Sequence, residues 1–204
     1  LPDPPLLVIT DRRLAQCPLP GLAAEIFAAG CRWLMVREKD LPSGALADLA
    51  AEIVAVARPY GATVTVNGDA EAARRAGASG VHFPQGVDPS AASGLVGVSA
   101  HSGREVRAAA GAGADYVTFS PVFASISKQG YGPEDAAGVT RLRDVCASAA
   151  IPVIALGGVV AENAAGCLAA GAAGVAVLGT VMQAADPGAA TASLISAIRA
   201  APVR

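Results

Sequence analysis

Four stretches of the chain repeat one pattern: an Ala-rich segment, then Ala-Gly, two or three small or polar residues, and a short apolar run. They are Ala29-Gly30 before Trp33–Val36, Ala76-Gly77 before Gly80–Phe83, Ala112-Gly113 before Tyr116–Phe119, and Ala170-Gly171 before Gly174–Val177. A Gly closing an Ala-rich segment fits a helix C-terminal cap that feeds a buried strand. One further apolar run lies between consecutive copies, at Thr63 to Val66, Leu95 to Val98 and Ile151 to Leu156, and Leu6 to Ile9 opens the chain. The pattern therefore predicts eight strands.

Helical periodicity fills the intervals, most clearly over Ser43 to Arg58, Gly103 to Ala112, Glu134 to Ala149 and Pro187 to Ala200. Strand and helix in strict alternation give a parallel sheet, and runs that are apolar on both faces require cover on both faces. Eight such units predict an α/β fold, a closed (β/α)8 TIM barrel, near the lower size limit at 204 residues. The interval from Phe83 to Leu95 has room only for a degenerate turn. No linker or shift of composition interrupts the pattern, so residues 1–204 are expected to form a single domain.

Composition narrows the function classes. The chain is 53% hydrophobic but 4% aromatic, so Ala, Val, Leu and Ile carry the core. Fifteen basic and 17 acidic residues are spread along it, leaving no basic stripe for nucleic acid. Mean hydropathy is +0.47, and Asn163 to Ala185 carries no charge. Gly166, Gly171, Gly174 and Gly179 nevertheless divide that stretch into short pieces, so no membrane span is expected. Cys17, Cys31, Cys146 and Cys167 form no CxxC pair, and there are two histidines. Neither a disulfide framework nor a Cys/His metal site is expected. Leu1-Pro-Asp-Pro-Pro has no signal-peptide character, which points to a reducing cytoplasm.

Barrel enzymes carry their chemistry on the loops after the strands. Here those positions are Thr10-Asp11-Arg12, Arg37-Glu38-Lys39, Asn67-Gly68-Asp69, Pro84-Gln85, Ser99-Ala100-His101-Ser102, Ser120-Pro121-Val122-Phe123, Gly157-Gly158 and Gly179-Thr180. The last two pairs offer close-approach backbone N–H groups after the seventh and eighth runs, the usual phosphate site of such barrels. Arg37 and Lys39 alternate about Glu38 and so point to one side, which an anionic substrate would make the mouth. His101 stands where a side chain could move protons near neutral pH, whereas His82, inside a strand run, reads as packed or at the rim. The loop Ser125 to Pro133 carries Lys128 between hydroxyls and can close over an anion as a lid.

In order along the chain, these motifs resemble the thiamine-phosphate synthase superfamily, which includes the TenI-like thiazole tautomerases. The resemblance rests on Val8-Ile9-Thr10-Asp11, Val36-Arg37-Glu38-Lys39, Val66-Asn67, Gly80-Val81-His82, Gly97 to Ser102, Gly113 to Val117, Ser120 to Phe123 with Ser127-Lys128, Ile151 to Gly158 and Gly174 to Val177. It implies a thiazole phosphate as the small-molecule substrate. It also implies substrate contacts from Arg37, Lys39, Asn67, Ser99, Ser125, Ser127 and Lys128, and a phosphate held by Gly157, Gly158, Gly179 and Thr180. The synthase joins an aminopyrimidine diphosphate to that thiazole with loss of diphosphate, using Mg²⁺.

Three positions depart from the synthase pattern. Met35 replaces a Gln, Gly68 stands where a metal-binding Asp follows Asn67, and Val87 falls near the second Asp, with Asp69 and Asp88 each one residue away. Because Mg²⁺ needs placed oxygen ligands, these losses favour the tautomerase branch, an isomerase needing no metal or other cofactor, with His101 as its catalytic acid and base. A Mg²⁺-dependent synthase is the alternative. A catalytically inactive, regulatory ligand-binding barrel is a further one. The oligomeric state is left open between a monomer and a homo-oligomer.

Overall fold

Apolar runs that must be covered on both faces do close on themselves. The computed structural model describes residues 1–124 and 137–201. Its strands are β1 (Leu6–Ile9), β2 (Trp33–Val36), β3 (Thr63–Asn67), β4 (Gly80–Phe83), β5 (Leu95–Ala100), β6 (Tyr116–Phe119), β7 (Val153–Leu156) and β8 (Gly174–Val177). All neighbours are parallel, and β8 pairs with β1, Leu7 lying opposite Ala176, to complete the barrel. The expected (β/α)8 architecture is the one observed.

The helices are α1 (Leu19–Ala28), α2 (Ser43–Ala57), α3 (Ala70–Ala76), α4 (Gly103–Gly111), α5 (Gly138–Ser148), α6 (Ala161–Ala169), α7 (Gly179–Met182) and α8 (Pro187–Arg199). Boundaries shift from the sequence reading for local reasons. The helix expected to reach Arg58 tightens into a 3₁₀ turn over Arg58–Tyr60, because Pro59 supplies no N–H to an α-helix. Strand β7 starts at Val153 rather than Ile151, since Pro152 cannot donate to the ladder. Residues 134–136 of the helix expected from Glu134 lie outside the described residues. Between β4 and β5 there is no helix, as the short interval predicts.

The four repeat glycines, Gly30, Gly77, Gly113 and Gly171, all have positive φ, so each helix ends in the turn the pattern implied. Side chains then alternate across the barrel wall. Val8, Leu34, Val36, Val64 and Val66 face outward into the shell of helices, while Leu7, Ile9, Trp33, Met35, Tyr116, Ile154 and Ala176 pack inside. No described helix is long and apolar enough to cross a membrane. The carboxyl ends of all eight strands open on one face, which gathers the loops singled out above.

Candidate functional site

Glu38 is a carboxylate only 3% exposed, and it binds together two loops from neighbouring strands. The Thr10 hydroxyl donates to it at 2.6 Å, the Arg12 N–H reaches both its oxygens at 3.2 and 3.0 Å, and the Arg12 guanidinium approaches at 3.2 Å. Arg12 also forks onto Asp40 with two bonds of 2.7 Å. Thr10 Oγ1 in turn accepts the N–H of Arg37 at 2.9 Å, so the backbone that presents Arg37 is fixed from both strands. Burial presses the Arg37 guanidinium below its ordinary range, against the pull of Asp11. Lys39 is lowered first by the nearby Arg37 charge and then by burial. The same Arg37 charge reaches His82 inside the barrel. Arg37 and Lys39 thus follow β2 close enough for the charge of one to act on the other. Sequence reasoning passed over the clasp itself, whose signal was the run of opposite charges after two adjacent strands.

Beside the apolar interior cluster lies a buried polar group centred on His82. His82 is 2% exposed. Its Nδ1 lies 3.1 Å from the Tyr116 hydroxyl, and its Nε2 lies 3.0 Å from Ser99 Oγ and 3.3 Å from Thr118 Oγ1. Gly97 faces this group: a Cβ there would strike the Tyr116 ring and hydroxyl and His82 Nδ1. Neither rim nor plain core packing describes His82, which is the centre of a buried network. Ser99 sits two residues beyond Gly97 towards the mouth, partly exposed.

After β7 and β8, Gly157, Gly158, Gly179 and Thr180 line one cavity of about 270 Å³. The sequence-predicted phosphate residues are thus brought together. The N–H groups of Gly158, Gly179 and Thr180 meet no acceptor among the described residues. The Thr180 hydroxyl donates to the Val159 carbonyl at 2.7 Å and ties the two loops. Asn163, which the sequence reading missed, braces the first of them by donating to Gly158 O at 3.0 Å and accepting from Val160 N at 2.9 Å. A Cβ on Gly158 would meet Phe123 and the Ala124 carbonyl rather than open cavity, so that residue serves loop packing as well as ligand approach.

The remaining candidates divide. Asn67 ends β3, opposite His82 in the register, at the mouth. His101 donates from Nδ1 to the Ser120 carbonyl at 2.6 Å while its own N–H donates to Glu105 at 2.6 Å, which locks the ring between two loops. Ser125, Ser127 and Lys128 lie outside the described residues. Met35 is buried in the interior cluster and offers no polar group. Asp69 caps α3, accepting from Ala72 N at 2.8 Å, and is held below the usual carboxylate range by that bond and by Ser43. Asp88 is exposed and accepts from Ser90 N at 2.9 Å in its own turn. Among the described residues no group of three or more His, Cys, Asp or Glu side chains converges for a metal ion.

Comparison with known proteins corrects the functional expectation. Residues 6–181 match the family model described as "TMP-TENI: Thiamine monophosphate synthase". The chain is 37% identical over 210 residues to the thiamine-phosphate synthase of Methanoculleus marisnigri, covering 96% of each protein. It is 38% identical over 193 residues to the thiamine biosynthesis bifunctional protein ThiM/ThiE of Symbiobacterium thermophilum, which takes in 89% of this chain and spans 39% of that protein. Its fold superposes on the thiamine phosphate pyrophosphorylase of Pyrococcus furiosus with a TM-score of 0.85 at 30% identity, covering 95% of each chain. None of these relatives is named as an isomerase, and the one matched over 96% of both chains is named a thiamine-phosphate synthase. The isomerase assignment, and with it His101 as the proton carrier of a tautomerisation, is overturned: Met35, Gly68 and Val87 are three local departures in a likeness that runs the length of the chain. From its strand-end motifs, its closed barrel and this match, the chain belongs to the thiamine monophosphate synthase family.

Proposed function

We propose that this protein is a thiamine-phosphate synthase, joining an aminopyrimidine diphosphate to a thiazole phosphate. A C–N bond forms from the thiazole nitrogen to the pyrimidine methylene carbon as the C–O bond to diphosphate breaks, and the electron pair leaves with diphosphate. What supports this reading is that cationic side chains and unpaired backbone N–H groups follow different strands at the same end of the barrel, suited to two anionic groups. Arg37 and Lys39 follow β2, and the N–H groups of Gly158, Gly179 and Thr180, which meet no acceptor among the described residues, follow β7 and β8. One region suits a diphosphate and the other a phosphate monoester, with the reacting atoms over the barrel axis between them. Arg37 and Lys39 bind the diphosphate and stabilise charge as it departs. Asn67 and Ser99 add hydrogen bonds at the rim, and the sequence adds Ser125, Ser127 and Lys128. His101, held between two loops, shapes the wall.

The family resemblance also implies Mg²⁺. The residues present do not fit its two-acid site: Gly68 and Val87 carry no side-chain oxygen, Asp69 is engaged as a helix cap and Asp88 is exposed in its own turn. No step is assigned to the ion. Four free cysteines are in keeping with a cytoplasmic enzyme. The test is incubation of the purified protein with both substrates, with and without Mg²⁺, reading thiamine phosphate by chromatography. Product with release of one diphosphate per turnover is expected, and its absence under both conditions would overturn the reading.

A further inference from the structure

We propose that His82 is a positioning residue that fixes the Ser99 hydroxyl as a hydrogen-bond donor aimed into the barrel mouth, towards an anionic oxygen of the substrate. That the substrate is a diphosphate rests on the synthase reading. The geometry at His82 does not.

The argument is one of proton polarity. A neutral imidazole has one N–H donor and one bare nitrogen acceptor, and what its neighbours need decides which is which. Burial keeps the His82 ring neutral, pushing its pKa down to about 3, and pushes the Tyr116 phenol up, so the phenol keeps its proton. Thr65 lies near that phenol but makes no hydrogen bond of normal geometry to it. The Tyr116 O–H therefore has His82 Nδ1, 3.1 Å away, as its acceptor. If Nδ1 bore the proton instead, the phenol would be left with Thr65 Oγ1 alone, which it does not reach with hydrogen-bond geometry. With Nδ1 bare, the proton is on Nε2, which donates to Ser99 Oγ at 3.0 Å, with Thr118 Oγ1 the more distant neighbour at 3.3 Å.

Ser99 Oγ thus accepts from below, and its own proton is directed elsewhere. This is the reverse of a nucleophilic Ser–His pair, in which imidazole takes the serine proton. Ser99 is the next interior position above Gly97 on β5, nearer the mouth, and the Arg37 charge is close enough to act on the His82 ring below it. A hydroxyl pre-aimed as a donor, with a cationic side chain acting on the same network, suits an anionic oxygen. Gly97 is what makes the arrangement possible, because any side chain there would occupy the place of the His82–Tyr116 bond.

Two measurements test the proposal. Ring-nitrogen NMR of the wild-type protein between pH 6 and 8 should find the His82 proton on Nε2, and finding it on Nδ1 would overturn the inference. The second is calorimetric titration with inorganic diphosphate, compared across variants. The amide nitrogen of His82→Gln can reach the Nε2 position, whereas that of His82→Asn reaches only the Nδ1 position. Affinity should fall about tenfold (about 1.4 kcal/mol) in His82→Asn and in Ser99→Ala, fall no further in the double variant, and return to within about threefold in His82→Gln. In turnover the loss should appear in KM for the pyrimidine substrate, with kcat nearly unchanged. Equal affinities in the Gln and Asn variants, or no diphosphate binding by the wild type, would refute the role. Should turnover be absent while the tautomer and the diphosphate affinities behave as stated, the synthase reading fails and the positioning role stands.

Discussion

Acidification from pH 7 to pH 5 should destabilise this fold through one side chain. His82 is fully enclosed, and burial, with a smaller contribution from the Arg37 charge above it, depresses its pKa to about 3. Its other close neighbours, Tyr116, Ser99 and Thr118, are neutral. In the unfolded chain the ring returns to about 6.5. Between the two values the unfolded state binds the extra proton, so the contribution is complete above about pH 6.5 and is lost as pH falls towards the folded value. At pH 5 the unfolded ring is almost wholly protonated and the folded ring is not, which amounts to about 2 kcal/mol. For a domain of this size that corresponds to roughly 4–8 °C in Tm. Asp11, Asp40, Asp69 and Asp88 are each held below the usual carboxylate range by hydrogen bonds, so their losses begin at lower pH and do not confuse this window. Urea unfolding at pH 7 and pH 5 measures the effect, with His82→Gln as reference. The wild type should lose about 2 kcal/mol more than the variant. Losses that agree within about 0.5 kcal/mol would show that His82 takes up its proton without unfolding, and that the buried network is not closed to charge.

Glu38→Gln keeps one acceptor for Thr10 but turns an amide donor towards Arg12, so stability should fall by about 2 kcal/mol, read as a fall of roughly 4–8 °C in Tm. An unchanged Tm would mean that the clasp contributes nothing. Gly97→Ala drives a methyl into the Tyr116 hydroxyl and His82 Nδ1 and should cost about 2–3 kcal/mol in denaturant unfolding, far beyond the effect of a surface substitution. Gly158→Ala meets both a positive φ of 61° and the Ala124 carbonyl, so thermal stability and affinity for inorganic phosphate should drop together. Retention of either one would separate loop packing from ligand approach. Gly68 has open space around its Cβ position, and Asp tolerates its φ of 78°, so Gly68→Asp restores an acid where the family pattern has one. Mg²⁺ should then raise diphosphate affinity about tenfold more than it does in the wild type, and an identical response to Mg²⁺ would place the ion elsewhere.

Strand count and order were legible in the chain because both causes are local. Buried parallel strands are continuous apolar runs, and the glycine that ends each Ala-rich helix adopts a positive φ whatever surrounds it. The Gly157 and Gly179 loops were legible too, since barrel geometry places the ends of consecutive strands side by side. Continuity also hides information. A run that is apolar on both faces has no alternation from which to read inside and outside, so His82 looked like a packed or rim residue until the register set it opposite Gly97 and within reach of Tyr116, 34 residues away. Glu38 and Thr10 are 28 residues apart and became partners only when β1 and β2 paired. Asp69 carried the same uncertainty: whether a carboxylate after a strand awaits a cation or caps a helix depends on where α3 begins, and here it begins at the next residue. The branch of the family was not legible for a related reason: Met35, Gly68 and Val87 do not fix the chemistry one by one, because the barrel builds its mouth from several strand ends that the sequence keeps far apart and only closure of the sheet brings together.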